Sequence, residues 1–360
     1  SSAASDVYKR QIRAGSLSDG SVSADNRGGK EMIYIKSPST DPHFNLALEQ
    51  YVFDEMDLSQ EYFMLWQNDN AIIIGKHQNT VREINSTYVK EHGISVVRRL
   101  SGGGAVYHDL GNLNFTFIVS ENGLEQFDFG SFCRPIVKAL GHFGVTAEIN
   151  GRNDMTIDGK KFSGNSQYAK QGRVMHHGTI LYDSDLETVS HALQVSADKI
   201  VSKGVQSVRS RVTNVRNYME KDVPIGEFWE MLLQDMAAET PMEFYTLTEA
   251  DLERVRQIQK ERYDTWEWNY GNSPAYAIVK ERRFDGCGKL EVHMNVERGM
   301  ITAFDVFGDY FGNGDKDQLC QHLLGVKLTE EALREALQSL NISDYFCHLE
   351  KDQFLDLLLY

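Results

Sequence analysis

One segment of the chain combines arginine and glycine in a way that suits an anionic ligand. It runs from Arg98 to His108 and places two arginines shortly before Gly102-Gly103-Gly104. Consecutive glycines allow positive φ and a close approach of a ligand to the backbone, and successive N–H groups in such a turn form an anion-binding concavity. Guanidiniums at its entrance match phosphate or carboxylate oxygens. We call residues 99–105 the glycine loop and predict that it grips an anion, although a hairpin with solvated arginines has the same composition.

Lys161 is a second residue that could do chemistry. It follows the turn signal Asp158-Gly159, and strand alternation puts Lys160 and Lys161 on opposite faces. A lysine in a pocket is a compact cation suited to a phosphate or a developing oxyanion. Ser163-Gly164 nearby would let a ligand approach. The alternative is a solvated hairpin lysine.

Two further clusters raise the question of a metal. Asn153-Asp154 could hold magnesium, which proteins bind through one or two carboxylates together with substrate phosphates, or it could be a plain turn. His176-His177 would point to opposite faces of a strand, so the pair cannot ligate one ion and we expect no zinc. The glycine loop also lacks the spacing of a P-loop or of a dinucleotide-binding fingerprint.

Composition limits the class of partner. The chain has 360 residues and a formal net charge of -15, which argues against nucleic acid because phosphate binding needs a positive surface. The four cysteines show no CxxC spacing, as expected for a protein of the reducing cytoplasm. No apolar run approaches the ~20 residues of a membrane span. We therefore expect a cytoplasmic monomer that binds neither nucleic acid nor membrane.

Hydrophobic periodicity predicts an α+β fold that positions these residues. Alternating or apolar runs predict strands, and broad apolar faces with capping signals predict helices, the first beginning after Asp41-Pro42. Predicted strands include 32–36, 62–66, 71–75, 95–100, 113–119 and 174–181, and predicted helices include 42–56, 132–143, 225–238 and 248–263.

The chain is expected to have three parts. Residues 1–31 lack a sustained apolar period and are interpreted as a disordered, non-native tail. Residues 32–271 form the larger domain, and Gly271-Asn272-Ser273-Pro274 is typical of a domain boundary. Residues 272–360 show a smaller α+β pattern with a hairpin turn at Asp285-Gly286.

Taken together, these motifs resemble the two-domain bacterial lipoate–protein ligase A family, within the biotin/lipoate ligase and transferase superfamily. The resemblance covers essentially residues 32–360. It is carried by several segments in order: 41–47, Arg98–Asp109, Gly151–Asp154, Lys161 with Ser163-Gly164, His176–Thr179, Ser207–Asn214 and Trp266–Asn269.

The resemblance implies a mixed or antiparallel sheet with flanking helices in the catalytic lipoate- and ATP-binding domain, and a small accessory domain. It implies that lipoate and ATP, with Mg²⁺, give lipoyl-AMP and pyrophosphate. The lipoyl group then passes to a lysine of an acceptor, either a lipoyl domain of a 2-oxoacid dehydrogenase E2 subunit or the glycine-cleavage H protein.

The resemblance also assigns roles to residues. Lys161 would contact both the lipoyl carbonyl and the α-phosphate and act as the catalytic residue, and the loop 202–214 would cover the adenylate. Residues expected at the nucleotide are Arg99, Gly104, Ala105, Val106, Tyr107, Asn153, Asp154, Lys161, Arg209 and Arg211, with Asp154 as the candidate magnesium ligand. Residues expected at lipoate are Leu46, Ala47, Ile73, Gly103, His108 and Lys161, with Val106 along the acyl groove.

Three alternatives remain at this point. An octanoyl or lipoyl transferase of the same fold takes its acyl group from a carrier without ATP; some use a cysteine downstream of the pocket lysine, and none lies between Lys161 and Cys287. A biotin–protein ligase has a different glycine-rich signature. A non-catalytic lipoate-binding protein would lose the pocket lysine, which is present here.

Overall fold

The computed structural model describes residues 31–121, 128–150, 153–193, 211–270, 278–297 and 299–359. Several of the predictions fall on residues outside these ranges. They are nearly all of the predicted tail, the start of the segment Gly151–Asp154, residues 202–210 of the predicted adenylate loop with Arg209, and the predicted boundary at 271–274.

The strands follow the predicted order closely. They are β1 (Met32–Lys36), β2 (Glu61–Trp66), β3 (Ala71–Ile74), β4 (Ser95–Arg98), β5 (Val106–His108), β6 (Asn112–Ser120), β7 (Glu148–Asn150), β8 (Asp154–Ile157), β9 (Lys160–Lys170), β10 (Arg173–Leu181), β11 (Met242–Tyr245), β12 (Ile278–Phe284), β13 (Gly288–Glu297) and β14 (Met300–Gly308).

The helices alternate irregularly with these strands. They are α1 (Pro42–Asp54), α2 (Thr80–Glu83), α3 (Ser86–Glu91), α4 (Gly130–His142), α5 (Leu186–Ala192), α6 (Ile225–Glu239), α7 (Glu249–Ile258), α8 (Trp266–Asn269), α9 (Lys316–Leu323), α10 (Glu330–Ala336), α11 (Ile342–Tyr345) and α12 (Lys351–Leu359). A 3-10 turn covers Val215–Tyr218, and a π-helical turn covers Gln259–Tyr263 after α7.

The strands form three sheets among the described residues. The largest has the order β11-β1-β2-β6-β10-β9-β8-β7, and smaller sheets have the orders β4-β3-β5 and β12-β13-β14. The large sheet is parallel between β1 and its two neighbours and antiparallel from β2 to β7. The predicted α+β class with a mixed sheet is confirmed.

Both faces of the large sheet are covered, as the alternation of β2 shows. Phe63 and Leu65 join a core with α4 and α6, whereas Tyr62 and Met64 join a second core with α1. A sheet buried on both faces needs apolar side chains at nearly every position. The C-terminal sheet packs one face on its own core with α9 and α12.

Local signals explain several boundaries. Asp41 caps α1 by accepting a hydrogen bond from His43 N, with Pro42 at the first helical position. The turn between β8 and β9 has φ values of 50° at Asp158 and 72° at Gly159, as expected for the I′ turns whose twist matches a hairpin. This turn sets the register that carries Lys161.

The sequence pattern did not indicate β11, which pairs in parallel with β1. No helix among the described residues is long and apolar enough to cross a membrane.

Candidate active site

A cavity of about 630 Å³ brings together the glycine loop, β9, β10 and the C-terminal sheet. Most of the predicted site residues border it: Leu46, Ile73, Arg99, Gly103, Gly104, Ala105, Val106, His108, Asn153, Asp154, Lys161 and Arg211. Two do not, because Ala47 is fully buried and Tyr107 is turned to Asn70, to which its hydroxyl donates a hydrogen bond. Their predicted ligand contacts stay predictions, and the contact predicted for Tyr107 is made by its backbone.

Lys161 belongs to the polar part of this cavity lining. Its Nζ is 2.7 Å from Asp154 Oδ1, and both side chains are 38% exposed. A Cβ at Gly164 would lie 3.0 Å from the same Nζ, so glycine leaves room for the lysine head. Lys161 thus borders the cavity, while its chemical role stays a prediction.

The β8–β9 hairpin and the chain after residue 210 hold Lys161 from two sides. In the hairpin Lys161 pairs with Thr156, and Asp154 pairs with Gly164. On the other side the Lys161 carbonyl accepts a hydrogen bond of 2.9 Å from Thr213 N. This contact brings Arg211 to the cavity wall.

Asn153 ties two strands together. Its Nδ2 donates to the Asn165 carbonyl at 2.7 Å, and Asn165 Nδ2 donates back to the Asn153 carbonyl at 3.1 Å. This reciprocal pair fixes the start of β8, and hence the position of Asp154.

Arg99 is buried beneath the glycine loop. Its Nη2 donates to the carbonyls of Gly102 at 2.6 Å and Gly104 at 2.9 Å, and its Nη1 donates to the Ile73 carbonyl at 3.2 Å. Burial lowers the pKa of Arg99 to about 10. Since these donors hold inward-facing carbonyls of the loop, Arg99 braces the loop from within, and its contact with a nucleotide stays a prediction.

Arg98 also differs from the sequence expectation. It is buried and donates to the backbone carbonyls of Gly75, Gln78 and Trp268. Burial lowers the pKa of Arg98 to about 10. Arg98 therefore does not border the cavity, because the surrounding backbone carbonyls hold its guanidinium.

A buried chain of hydrogen bonds supports the loop from the other side. Ser101 Oγ lies 2.6 Å from His177 Nε2, and His177 Nδ1 lies 3.0 Å from Glu49 Oε1. Arg99 Nε donates to Ser101 Oγ at 3.1 Å, so the serine proton is directed to His177, which in turn donates to the Glu49 carboxylate. Thr116 Oγ1 donates to the same carboxylate at 2.5 Å.

The sequence pattern did not single out Glu49, although one signal was available. Glu49 lies three residues after Leu46 and four before Phe53, on the apolar face of α1. A glutamate on such a face is rare unless it is paired. The two histidines also separate as predicted, because His176 stacks on Phe132 at 4.6 Å while His177 contacts Glu49 on the opposite side.

His108 borders the cavity as a neutral residue. Burial, with a smaller effect of Arg99, lowers its pKa to about 3. Its Nδ1 lies 3.1 Å from Asn68 Nδ2, so Nδ1 accepts and Nε2 carries the proton. Among the described residues Nε2 has no hydrogen-bond partner.

The C-terminal sheet contributes to the cavity, which the sequence did not reveal. Phe311 and Asp309 follow β14 and line the wall with Arg283 of β12. A Cβ at Gly102 would lie 2.5 Å from the Tyr310 carbonyl oxygen. The loop therefore needs glycine at this position because another backbone packs directly on it.

The described residues contain no cluster of three or more His, Cys, Asp or Glu side chains that could hold a metal by themselves. Asp154 is one carboxylate beside a cation. This matches the magnesium pattern only where substrate phosphates supply the other oxygens.

Comparisons with known proteins agree with this geometry. Residues 41–237 match the family model "Lipoyl protein ligase A/B catalytic domain", and residues 273–358 match "Bacterial lipoate protein ligase C-terminus". Lipoate-protein ligase LplJ of Bacillus subtilis is 43% identical over 333 residues, covering 91% of this chain and 100% of that protein. Lipoate–protein ligase 1 of Staphylococcus aureus is 41% identical over 319 residues, covering 89% and 97%.

Solved structures show the same relationship. P. falciparum LipL1 in complex with lipoate matches with a TM-score of 0.73 at 25% identity, covering 92% of this chain and 98% of that one. Lipoate-protein ligase A bound with ATP matches with a TM-score of 0.56 at 27% identity, covering 68% and 99%. The chain therefore belongs to the lipoate–protein ligase family of enzymes.

Proposed function

We propose that the chain is an ATP-dependent lipoate–protein ligase that works through a lipoyl-AMP intermediate. The observation that carries this proposal is one cavity that joins apolar side chains, such as Leu46 and Ile73, to the cations Lys161 and Arg211. An acyl tail needs the apolar wall, and a nucleotide phosphate needs the cations. The solved structures of relatives with lipoate and with ATP bound support an acyl part and a nucleotide part of the site.

In the first step a lipoate carboxylate oxygen attacks the α-phosphorus of ATP. The bond between the α-phosphorus and the bridging oxygen breaks, and pyrophosphate leaves. Because two anions must meet, Lys161 and Arg211 would offset their repulsion, and fixed positioning would supply much of the remaining acceleration. The backbone of Gly104–Val106 would lie along the phosphate.

Magnesium would be held by Asp154 together with phosphate oxygens of the nucleotide. It would supply further neutralisation of the phosphate charge. Lys161 and Asp154 would then exchange their mutual contact for contacts with the substrate.

In the second step the neutral amine of an acceptor lysine attacks the carbonyl of lipoyl-AMP. A tetrahedral oxyanion forms, the bond between the carbonyl carbon and the phosphate oxygen breaks, and AMP leaves while the nitrogen loses a proton. Lys161 Nζ would stabilise the oxyanion as it stabilised the phosphate before.

The acceptors we propose are lipoyl domains of 2-oxoacid dehydrogenase E2 subunits and the glycine-cleavage H protein. The bipartite lipoate–protein ligase of Thermoplasma acidophilum, which was analysed with its E2 lipoyl domain, matches this chain with a TM-score of 0.58 at 28% identity and supports the first of these.

ATP–pyrophosphate exchange tests the proposal. Purified protein is incubated with labelled pyrophosphate and, in parallel, lipoate, octanoate or biotin. We expect exchange that depends on lipoate and is absent with biotin. No exchange with any acid, together with transfer from an octanoyl carrier protein without ATP, would instead establish the transferase alternative.

A further inference from the structure

The cavity contains a cation that comes from the C-terminal sheet. Arg283 of β12 lines the same cavity as Lys161, and its Nη2 lies 2.8 Å from Asp309 Oδ2. The Arg283 side chain is 35% exposed, whereas that of Asp309 is 12% exposed. The guanidinium is therefore accessible from the cavity while the carboxylate that holds it is mostly covered.

Strand alternation explains why Arg283 faces this way. Leu290, Val292 and Met294 of β13 point into the C-terminal core, so the intervening residues of β13 lie on the other face. Lys289 is one of them, and it pairs with Arg283 in the β12–β13 register. Directly opposed residues share a face, which puts Arg283 on the polar face of the sheet.

The end of β14 holds this face against the glycine loop. Asp309 Oδ1 accepts a hydrogen bond of 2.5 Å from Lys289 N, which leaves Oδ2 for Arg283. The next residue, Tyr310, stacks on His77 with ring centroids 4.3 Å apart. Gly308 N donates to the His77 carbonyl at 2.5 Å. Arg283 is thus held by Asp309, and the next residue, Tyr310, packs on both His77 and Gly102.

The negative charge of the nucleotide indicates a role for Arg283. A triphosphate brings several negative charges, and the pyrophosphate that leaves during adenylation gains one more. Arg99 donates to the carbonyls of Ile73, Gly102 and Gly104 and to the Ser101 hydroxyl, so it is a poor candidate for this charge. A guanidinium has five N–H donors in a fork that fits phosphate. Among the described residues, Asp309 is the partner of the Arg283 guanidinium.

We propose that Arg283 binds the β- and γ-phosphates of ATP and the departing pyrophosphate, so that the C-terminal domain completes the adenylation site. The proposal rests on the proposed function and deepens it. It predicts that Arg283 acts in adenylation and not in transfer, because pyrophosphate has left before the acceptor lysine reacts.

The test compares Arg283→Gln with Arg282→Gln. Arg282 is the exposed neighbour on the same strand and does not border the cavity. Removing a charge-assisted contact should lower kcat/KM for ATP in lipoate-dependent exchange roughly ten- to hundredfold. Transfer from supplied lipoyl-AMP to a lipoyl domain should remain within twofold of wild type. Arg282→Gln should match wild type in both assays, and Arg283→Lys should restore part of the exchange.

Unchanged exchange in Arg283→Gln would overturn the proposal, and so would an equal loss in both assays, since that would mark a general effect on the fold. If wild type itself shows no lipoate-dependent exchange, the proposed function fails separately. In that case, the affinity for ATP measured by calorimetric titration still tests the phosphate contact of Arg283. Weaker ATP binding in Arg283→Gln than in Arg282→Gln supports its phosphate contact, and equal binding refutes it.

Discussion

Lys161 Nζ lies 2.7 Å from Asp154 Oδ1, so the lysine of the cavity is held by a carboxylate of the neighbouring strand. Both side chains are 38% exposed, and ion pairs that solvent can screen contribute about 1 kcal/mol or less. The ion pair can therefore orient the lysine side chain, and Lys161 can still exchange its contact with Asp154 for a contact with a phosphate. Two predictions follow from this relationship.

Lys161→Ala should abolish most lipoate-dependent pyrophosphate release. Removing one donor to a developing oxyanion costs roughly 10²–10³ in rate, and Lys161 would serve both chemical steps. Lys160→Ala is the matched control, because Lys160 is the exposed neighbour on β9 and does not border the cavity. Pyrophosphate release by Lys161→Ala at the wild-type rate would exclude the proposed role.

Asp154→Asn separates two functions of the carboxylate. If Asp154 holds magnesium with the nucleotide, the variant should need roughly tenfold more Mg²⁺ for half-maximal exchange, as expected when a charge-assisted contact is lost. Asp158→Asn is the control, since asparagine suits the positive φ of this turn position. An Asp154→Asn enzyme with a lower maximal rate but an unchanged Mg²⁺ requirement would show that Asp154 only orients Lys161.

Local signals predicted the parts of the site that depend on neighbours in sequence. The Asp158-Gly159 turn fixed the hairpin and placed Lys161 in the cavity. The Asp41-Pro42 cap fixed the start of α1 and hence the position of Leu46. These elements depend on turn geometry and capping, which a few adjacent residues determine.

The parts of the site that the sequence pattern did not predict depend on contacts between residues that are distant in sequence. Three partners of Arg99 are backbone carbonyls, which carry no sequence signal. Glu49 contacts His177, which is 128 positions away in the sequence. Tyr310, which follows the C-terminal sheet, packs on Gly102 of the glycine loop. The strand β11 is only four residues long and pairs in parallel with β1, which is distant in sequence. Such features follow from which surfaces meet after folding.

Gly102→Ala should destabilise the protein because a Cβ at this position would lie 2.5 Å from the Tyr310 carbonyl oxygen. Neither backbone can yield without disturbing the packing, so we expect a loss of about 1–3 kcal/mol in the free energy of unfolding, typical of overpacking. Gly104→Ala is the control for stability, because a Cβ there meets nothing within 4 Å. Thermal unfolding compares the two variants. Equal Tm values would contradict the close contact between the glycine loop and residues 308–311.

Stability should fall in acid because histidines are buried in the neutral form. Burial lowers the pKa of His108 to about 3 and that of His176 well below its ordinary value. In the unfolded chain these imidazoles take up protons below about pH 6.5, so the unfolded state binds more protons and stability decreases as pH falls through that value. Where a histidine is protonated in the unfolded chain but neutral in the folded protein, it should lower the free energy of unfolding by about 1.4 kcal/mol for each pH unit of acidification. For His108 this range extends down to about pH 3.

Urea unfolding between pH 8 and pH 5 measures this dependence, and His108→Asn isolates one contribution. Asparagine keeps an acceptor for Asn68 Nδ2, which lies 3.1 Å from His108 Nδ1, but cannot be protonated in this range. The free energy of unfolding should therefore fall less steeply below pH 6.5 in the variant. The difference in slope should correspond to the uptake of about one proton fewer on unfolding. Above pH 7.5 the two slopes should coincide, since the histidine is then neutral in both states. Identical slopes below pH 6 would mean that folded His108 takes up its proton as readily as the unfolded chain does, and would contradict its burial as a neutral group.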